Sequence, residues 1–405
     1  MSGRGDLNTG LTSYGDPEFA GYLRRSFAKS MGYSGEMLGR PIIGVATAAS
    51  GFNNCHRLTP ELVDAVTRGV LAAGGLPLPF PTISLGEVFL SPTSLVFRNL
   101  MSMDVEEMIR AQPMSAVVLI GGCDKTVPAQ LMGAISAGRP AIQLVVGPMM
   151  TGRHKGERLG ACTDCRRFWA QFRSGQATAA DIEDVENNLA VTAGTCAVMG
   201  TASTMACLSE TLGMTLPDSA AAPAVHADRL RIAEATGTEA VRMAQSGVAP
   251  SAIVTRDAIE NAARMLLAIG GSTNGVIHLA AIAGRVGLPF DLRALNGLSE
   301  STPVLVNLKP TGEHYMEDFY AAGGVHAVLQ ELEPLLHLDC RTVTGERLGD
   351  RVKRRLPFVD PPIARSARAA FSIASRVMIA FGATPECARR TASVPVASAI
   401  LSRSA

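Results

Sequence analysis

At 405 residues, of which 47% are hydrophobic, the chain is long enough for two or three domains with a sizeable buried core. Its formal net charge of +1 gives no overall attraction to nucleic acid or an anionic membrane, and no apolar run reaches the roughly 18 residues that span a bilayer. Residues 1–33 contain no apolar signal-peptide segment, and eight cysteines are too few for a disulfide scaffold. We therefore expect a cytoplasmic protein with reduced cysteines and no nucleic-acid or membrane partner.

Apolar runs that end at glycine or proline are typical of buried parallel strands, and three occur at residues 41–48, 116–120 and 141–146. Thr59 is the predicted N-cap of the helix after the first run, with Pro60 as its first helical residue. Helices are predicted at about 59–73, 104–112, 126–137, 179–193, 225–246 and 255–268. This alternation predicts an α/β fold in which helices flank parallel sheets.

Three cysteines that are far apart in the chain lie beside glycine or small polar residues. Cys55 lies in Asn-Cys-His, Cys123 in Gly-Gly-Cys-Asp-Lys-Thr and Cys196 in Gly-Thr-Cys, at spacings of 68 and 73 positions. Ligands of parallel sheets collect at the carboxyl ends of strands, where Cys55 and Cys123 are predicted to lie. Thiolates hold iron–sulfur clusters, and three of them would leave one iron open to polarise a substrate hydroxyl. The pattern indicates a cluster site that the fold assembles.

Carboxylates near these cysteines are candidates for a second metal site. Asp124 directly follows the second cysteine, and Glu87 ends the segment Ser-Leu-Gly-Glu at 84–87. Mg²⁺ prefers such oxygen ligands. Residues 270–275, Gly-Gly-Ser-Thr-Asn-Gly, fit two roles: a helix C-cap with a turn, or amides and hydroxyls that hold a substrate carboxylate.

A Cys-x-x-Cys pair at Cys162 and Cys165 leaves three alternatives open. It fits zinc binding or thiol–disulfide exchange, but neither a second pair nor clustered histidines complete a zinc site, so structural packing is favoured. Residues 122–126 resemble a phosphate-binding loop only weakly, because Asp124 stands where that loop needs glycine. The remaining cysteines are predicted to pack in the core: Cys207, Cys340 and Cys387.

Four long segments, at residues 121–152, 194–214, 270–287 and 305–320, carry a resemblance to a known family. They begin Gly-Gly-Cys-Asp-Lys-Thr, Gly-Thr-Cys-Ala-Val-Met, Gly-Gly-Ser-Thr-Asn-Gly and Leu-Val-Asn-Leu-Lys-Pro. With them the chain resembles the dihydroxy-acid and sugar-acid (aldonate) dehydratase family over about residues 16–350. The motifs are specific to that family.

The resemblance implies roles for the candidate residues. The implied ligands of a [2Fe–2S] cluster are Cys55, Cys123 and Cys196. The implied Mg²⁺ ligands are Glu87, Asp124 and Lys125, the lysine being carbamylated and catalytic. The implied substrate-binding residues are Ser272, Thr273 and Asn274. A homo-oligomer is implied as well.

The family removes water from a small-molecule 2,3-dihydroxy acid to give a 2-keto acid. Ser-Leu-Gly-Glu at 84–87 resembles the aldonate branch, whose products are 2-keto-3-deoxy acids, because branched-chain dihydroxy-acid enzymes usually carry Asp-Asp-Gly there. Alternatives are a dihydroxy-acid dehydratase of branched-chain amino acid synthesis and a non-catalytic remnant that acts as a structural or binding partner. A zinc or thiol-redox protein built on Cys162 and Cys165 is a further alternative.

The end of the chain departs from the family pattern. Residues 351–405 carry ten Lys or Arg against two acidic residues, and they lack the motifs of the family's C-terminal β-barrel domain. We expect residues 1–350 to form the N-terminal α/β domain, and residues 351–405 to be a basic tail in place of that second domain. A truncation or frame change would explain the tail and would leave the chain with weak activity or none on its own.

Overall fold

The computed structural model describes residue 7 and residues 15–354. The predicted basic tail therefore lies outside the described residues, except for its first four positions. The fold class is confirmed as α/β, with parallel strands flanked by helices.

The described residues form a four-stranded parallel sheet in the order β2-β1-β3-β4. Its strands are β1 Ile42–Thr47, β2 Leu76–Pro81, β3 Ala116–Gly121 and β4 Ala141–Val145. The three predicted apolar runs are β1, β3 and β4, and nearly every residue in them is buried. A two-stranded antiparallel ribbon, β5 Gly152–His154 and β6 Glu157–Leu159, lies beyond β4.

Strand β2 was not predicted, because Pro77, Pro79 and Pro81 interrupt the pattern that is typical of a strand. The strand lies at the sheet edge, where proline is tolerated. Backbone N–H groups at even positions point toward β1: Leu76 donates to Pro41 O at 2.8 Å, and Thr82 donates to Thr47 O at 2.9 Å. The prolines occupy the odd positions, where no hydrogen bond to β1 is lost.

Helices cover the sheet and extend the core on one side. Those of the described residues are α1 Pro17–Ser30, α2 Thr59–Ala72, α3 Arg98–Ala111, α4 Thr126–Ala137, α5 Thr163–Arg173, α6 Ala179–Leu189, α7 Thr201–Thr211, α8 Ala227–Ser246, α9 Arg256–Ala268, α10 Thr273–Arg285, α11 Leu292–Ser301, α12 Met316–Ala321, α13 Gly324–Leu332 and α14 Leu348–Lys353. No helix among these is long and apolar enough to cross a membrane.

The predicted helices are all present, with two corrections. Leu58 rather than Thr59 is the N-cap of α2, and Pro60 is the second helical residue, where its missing N–H still costs nothing. Helix α3 begins at Arg98, six residues earlier than predicted, since the helical turn Ser94–Phe97 leads directly into it. Cys207 and Cys340 are buried as predicted, and Cys387 lies outside the described residues.

Close helix packing depends on glycine where α2 crosses α8. A Cβ on Gly69 would lie 1.9 Å from Glu234 O, and one on Gly237 would lie 2.2 Å from Val66 O. Helix α8 is also tied to the sheet by the fully buried Arg229, which donates to Val145 O and Ser219 O at 2.7 Å each. The strands and their connecting loops are therefore held in fixed positions around the carboxyl edge of the sheet.

Candidate active site

Three adjacent strands deliver the three predicted cysteines to one edge of the sheet. Cys55 lies in the helical turn Asn54–His56 after β1, and Cys123 follows β3 with a left-handed φ of 66°. Cys196 comes from the loop before α7, which is fixed to the end of β4 through Thr195. Thr195 N donates to Gly147 O at 2.9 Å, and Met149 N donates to Thr195 O at 2.8 Å.

The thiols of these cysteines interact with one another. Cys55 and Cys123 share a thiol hydrogen bond, which raises the pKa of Cys55, together with burial, and lowers the pKa of Cys123. The Glu87 backbone N–H also donates to the Cys123 sulfur. Contact with Cys162 and burial raise the pKa of Cys196, and Cys123 adds to this shift. Three thiolates in this space would repel each other, so a bound cation would relieve the cost of ionising them.

A buried histidine, which the sequence reasoning did not identify, joins two cysteine loops. His56 Nδ1 lies 2.8 Å from Ser84 Oγ, and its Nε2 accepts a hydrogen bond from Gly122 N at 2.9 Å. Burial lowers the pKa of His56 to about 4, so the ring is neutral near pH 7. His56 thereby fixes the loop of Cys55 against the loop of Cys123.

The predicted magnesium ligands meet around one amine. Lys125 is 3% exposed, and its Nζ lies 3.2 Å from Glu87 Oε2 and 3.3 Å from Asp124 Oδ2. Two carboxylates thus already converge on one positive charge. Lys125 precedes α4, and Asp124 is adjacent to Cys123 in the turn after β3, so this oxygen-rich group directly adjoins the thiols.

Neighbours shift the two carboxylates in opposite directions. Burial raises the pKa of Glu87, but hydrogen bonds from Ser94 and Thr93 outweigh it and lower the pKa to about 2. Thr93 Oγ1 donates to Oε1 at 2.6 Å, and Ser94 N donates to Oε2 at 3.0 Å. Burial raises the pKa of Asp124, although Lys125 opposes this shift. Glu87 therefore stays ionised to a lower pH than Asp124 does.

The predicted substrate segment lies against the start of α7. Ser272 caps α10, and its Oγ lies 2.9 Å from Thr201 Oγ1, to which Asn274 Nδ2 also donates at 3.3 Å. The next residue, Ala202, donates its backbone N–H to Asp124. Thr201 and Ala202 therefore connect Ser272 and Asn274 to Asp124, one of the candidate metal ligands. Thr273 is exposed.

Helix α10 contributes a second buried histidine that was missed. His278 Nδ1 lies 2.9 Å from Arg98 Nη1, and Nε2 has no hydrogen-bond partner within the described chain. Burial, Arg98 and Lys125 lower the pKa of His278 to about 3. The histidine is therefore neutral and faces a positive environment that an additional anion would balance.

A fourth thiol lies beside the three predicted ones. Cys162 Sγ is 3.0 Å from Cys196 Sγ, and this contact lowers the pKa of Cys162 to about 7, although surrounding protein atoms partly shield the sulfur from water and oppose the shift. Cys162 is exposed, so the packing role favoured from the sequence is wrong for this residue. No local sequence pattern could indicate this contact, because Cys162 and Cys196 are 34 positions apart in the chain.

The donor groups fit the two implied cofactors. Soft thiols and hard carboxylates lie in adjoining groups, as a thiolate-bound cluster and Mg²⁺ require. Within residues 15–354, no three His, Cys, Asp or Glu side chains are arranged to hold a single ion. The match to the implied cofactors therefore lies in the types of donor atom, soft sulfur beside hard oxygen, and not in a closed coordination sphere.

Comparisons with known proteins identify relatives that match most of the chain. A family model for the dihydroxy-acid/6-phosphogluconate dehydratase N-terminal region matches residues 40–351. L-arabonate dehydratase of Azospirillum brasilense is 44% identical over 87% of this chain and 61% of its own length. 6-Deoxy-6-sulfo-D-gluconate dehydratase of Pseudomonas putida is 38% identical over 82% of this chain and 57% of its own. Dihydroxy-acid dehydratase of Caldicellulosiruptor bescii is 37% identical, with shares of 82% and 61%. The chain thus spans about three fifths of these relatives' length.

Proposed function

Because the chain belongs to the dihydroxy-acid/6-phosphogluconate dehydratase family, we propose that it is a hydro-lyase that acts on a sugar acid. It removes water from the 2,3-diol of an aldonate and yields a 2-keto-3-deoxy acid. The observation that carries this proposal is the convergence of three thiols beside the Glu87–Asp124–Lys125 group. A dehydration needs stabilisation of both a departing hydroxyl and a developing enolate, and these two groups offer one kind of ligand for each.

In this proposal the cofactors are a [2Fe–2S] cluster and Mg²⁺. The cluster is held by Cys55, Cys123 and Cys196, and Mg²⁺ by the carboxylates of Glu87 and Asp124. When bound, they supply Lewis-acid polarisation of the substrate hydroxyl and charge neutralisation at its carboxylate end.

Lys125 is the proposed catalytic residue. Its buried amine carries one positive charge and offsets one of the two negative charges on Glu87 and Asp124, so the three groups have a net charge near −1. Carbamylation of Nζ would replace that positive charge by a negative one and would add oxygen ligands. The resulting trianionic group would require a divalent cation, which couples the modification to Mg²⁺ binding.

The sugar-acid assignment is supported by two kinds of evidence. Residues 84–87 read Ser-Leu-Gly-Glu, and relatives with sugar-acid names, at 38–44% identity, are at least as similar as those named for dihydroxy acids, at 37–38%. Ser272, Thr273 and Asn274 are the proposed substrate-binding residues. The Ser272 hydroxyl and the Asn274 amide lie beside Thr201, and the Thr273 side chain is exposed, so all three can donate to a polyhydroxy chain. A homo-oligomer in the cytoplasm, without nucleic-acid or membrane partners, completes the proposal.

The test is anaerobic reconstitution with iron and sulfide, followed by 2-keto acid detection with pentonates, hexonates and a branched-chain dihydroxy acid. We expect about two irons and two sulfides per chain and product from an aldonate. Cys123→Ser should lose the cluster, whereas the control Cys340→Ser, at a buried cysteine remote from these loops in sequence, should keep it. Iron-free protein after reconstitution would contradict the cluster assignment. A full cluster with no product from any acid would contradict the activity and favour the non-catalytic alternative.

A further inference from the structure

The thiol contact between Cys162 and Cys196 is not used by the proposed reaction. The two sulfurs lie 3.0 Å apart, and a disulfide of about 2.05 Å needs them to approach by only roughly 1 Å. Cys196 is partly buried, whereas Cys162 is exposed at the residue preceding α5. One thiol of the pair is therefore open to small oxidants, and the other is a proposed cluster ligand.

The second cysteine of the Cys-x-x-Cys pair is oriented differently. Cys165 Sγ donates to the Cys162 carbonyl oxygen at 2.8 Å, so its hydrogen bond goes to the backbone of Cys162 and not to that residue's sulfur. The sulfur partner of Cys162 is Cys196, which is 34 positions away in the chain. The geometry favours a bond between these two over the local pair that the sequence motif suggests.

We propose that Cys162 and Cys196 form a reversible disulfide when the protein meets a peroxide. The Cys162 thiolate attacks one peroxide oxygen; an S–O bond forms, the O–O bond breaks, and the released hydroxide takes up a proton to become water. The Cys196 thiolate then attacks the Cys162 sulfur; the S–S bond forms, the S–O bond breaks, and the hydroxide that leaves takes up a proton to become a second water. Two thiols are oxidised by two electrons, and one peroxide is reduced to two waters.

The disulfide would withdraw Cys196 from the cluster site. This consequence rests on the proposed function, since it matters only where Cys196 is a cluster ligand. With one thiolate removed, two remain, which is too few to retain the cluster. A dithiol reductant would restore Cys196. The pair thus makes cluster assembly dependent on the thiol redox state and keeps Cys196 in a recoverable form while the cluster is absent.

The experiment uses the full chain, purified without iron under anaerobic conditions and treated with one equivalent of hydrogen peroxide. Free thiols are alkylated, and tryptic peptides are analysed by mass spectrometry. We expect peptide 159–166, which holds Cys162 and Cys165, to be linked to peptide 174–229, which holds Cys196 and Cys207. Fragmentation should place the bond at Cys162 and Cys196. Cys165→Ser is the matched control and should retain the link, whereas Cys162→Ser should lose it.

A second readout connects the bond to the cluster. Oxidised protein should take up at least about tenfold less iron and sulfide than reduced protein, because a ligand is missing, and dithiothreitol should restore uptake. Absence of the linked peptide, or a bond confined to Cys162 and Cys165, would overturn the proposal. If the reduced protein takes up no iron although the link forms, the disulfide stands and the proposed function fails.

Discussion

Glu87 and Asp124, the two proposed metal-ligand carboxylates, differ in how their neighbours hold them. Glu87 receives hydrogen bonds from Thr93 and Ser94, which hold it ionised and in one orientation. Asp124 has fewer donors and is more deeply buried, so its pKa is raised. We therefore expect metal binding at Glu87 to depend on the hydroxyls that orient it.

Thr93→Val combined with Ser94→Ala should weaken Mg²⁺ or Mn²⁺ binding by roughly 10- to 100-fold, the usual effect of losing groups that orient a metal ligand. Calorimetric titration with each metal would measure the change. Thr93→Ser together with the native Ser94 is the control, because it keeps both hydroxyls, and it should bind as the parent protein does. Equal affinity in the double variant would show that these hydroxyls do not orient a metal ligand.

A second residue-scale feature lies away from the site, in a buried carboxyl group near Glu210. Asp218 has a left-handed φ of 65°, and its Oδ2 finds no partner among the described residues. Burial, Glu210 and Asp228 raise the pKa of Asp218 to about 8. The folded protein therefore keeps this proton up to about pH 8, whereas the unfolded chain releases it near pH 4.

Between these two pH values Asp218 makes the free energy of unfolding fall as pH rises, by at most about 1.4 kcal/mol per pH unit. Asp218→Asn removes that dependence, and asparagine tolerates the left-handed backbone. We expect the variant's stability advantage over the parent to grow from pH 5 to pH 8. Urea unfolding at each pH is the measurement, and a constant difference across the range would contradict it.

At the scale of elements, the crossing of α2 and α8 explains two helical glycines that the sequence alone does not. Gly69 and Gly237 each face a backbone carbonyl of the opposite helix at a distance that excludes a Cβ. An isolated helix would be more stable with alanine at either position. Here the close approach reverses that preference.

Gly69→Ala should therefore lower the free energy of unfolding by about 1–3 kcal/mol, as overpacked positions do. The matched control is Gly284→Ala on α10, where an added Cβ would have no described atom within 4 Å apart from its chain neighbours and the adjacent backbone of its own helix. That substitution should stabilise the helix by up to about 1 kcal/mol. Thermal denaturation of both variants tests the sign. Stabilisation by both would mean that the two helices can separate at no cost.

The predictability of elements from sequence follows their locality. Strands β1, β3 and β4 were predicted because each is a continuous apolar run. The bounds of α4 were predicted correctly because a buried strand precedes it and a glycine follows it. Strand β2 was missed because its prolines are compatible with a strand only at the edge of a sheet. The start of α3 was missed because it depends on the preceding helical turn, Ser94–Phe97. For the site, Cys55 and Cys123 could be placed from their strands. The proximity of Cys162 to Cys196 could not, because it arises from long-range contacts around the end of β4.

For the whole molecule, the site consists of loops that a rigid sheet brings to one edge. Cluster binding should therefore reduce the motion of the loops and leave the motion of the strands unchanged. We expect amide hydrogen exchange in residues 53–58, 122–126 and 194–200 to slow by about tenfold or more on reconstitution. Strands β1 and β3 serve as the internal control and should exchange equally in both forms. Slowing of the same size throughout the described chain would instead indicate global stabilisation.

The proline row of β2 has a consequence for how copies of this protein meet one another. Along that outer border the odd positions can offer carbonyl acceptors, but Pro77, Pro79 and Pro81 supply no N–H to an incoming strand. A foreign strand could satisfy at most half of its ladder there, which makes fibril-like stacking on this border unfavourable. Crowded or partly unfolded copies should therefore be protected from edge-to-edge aggregation at β2 by the same prolines that the parallel sheet accommodates at its border.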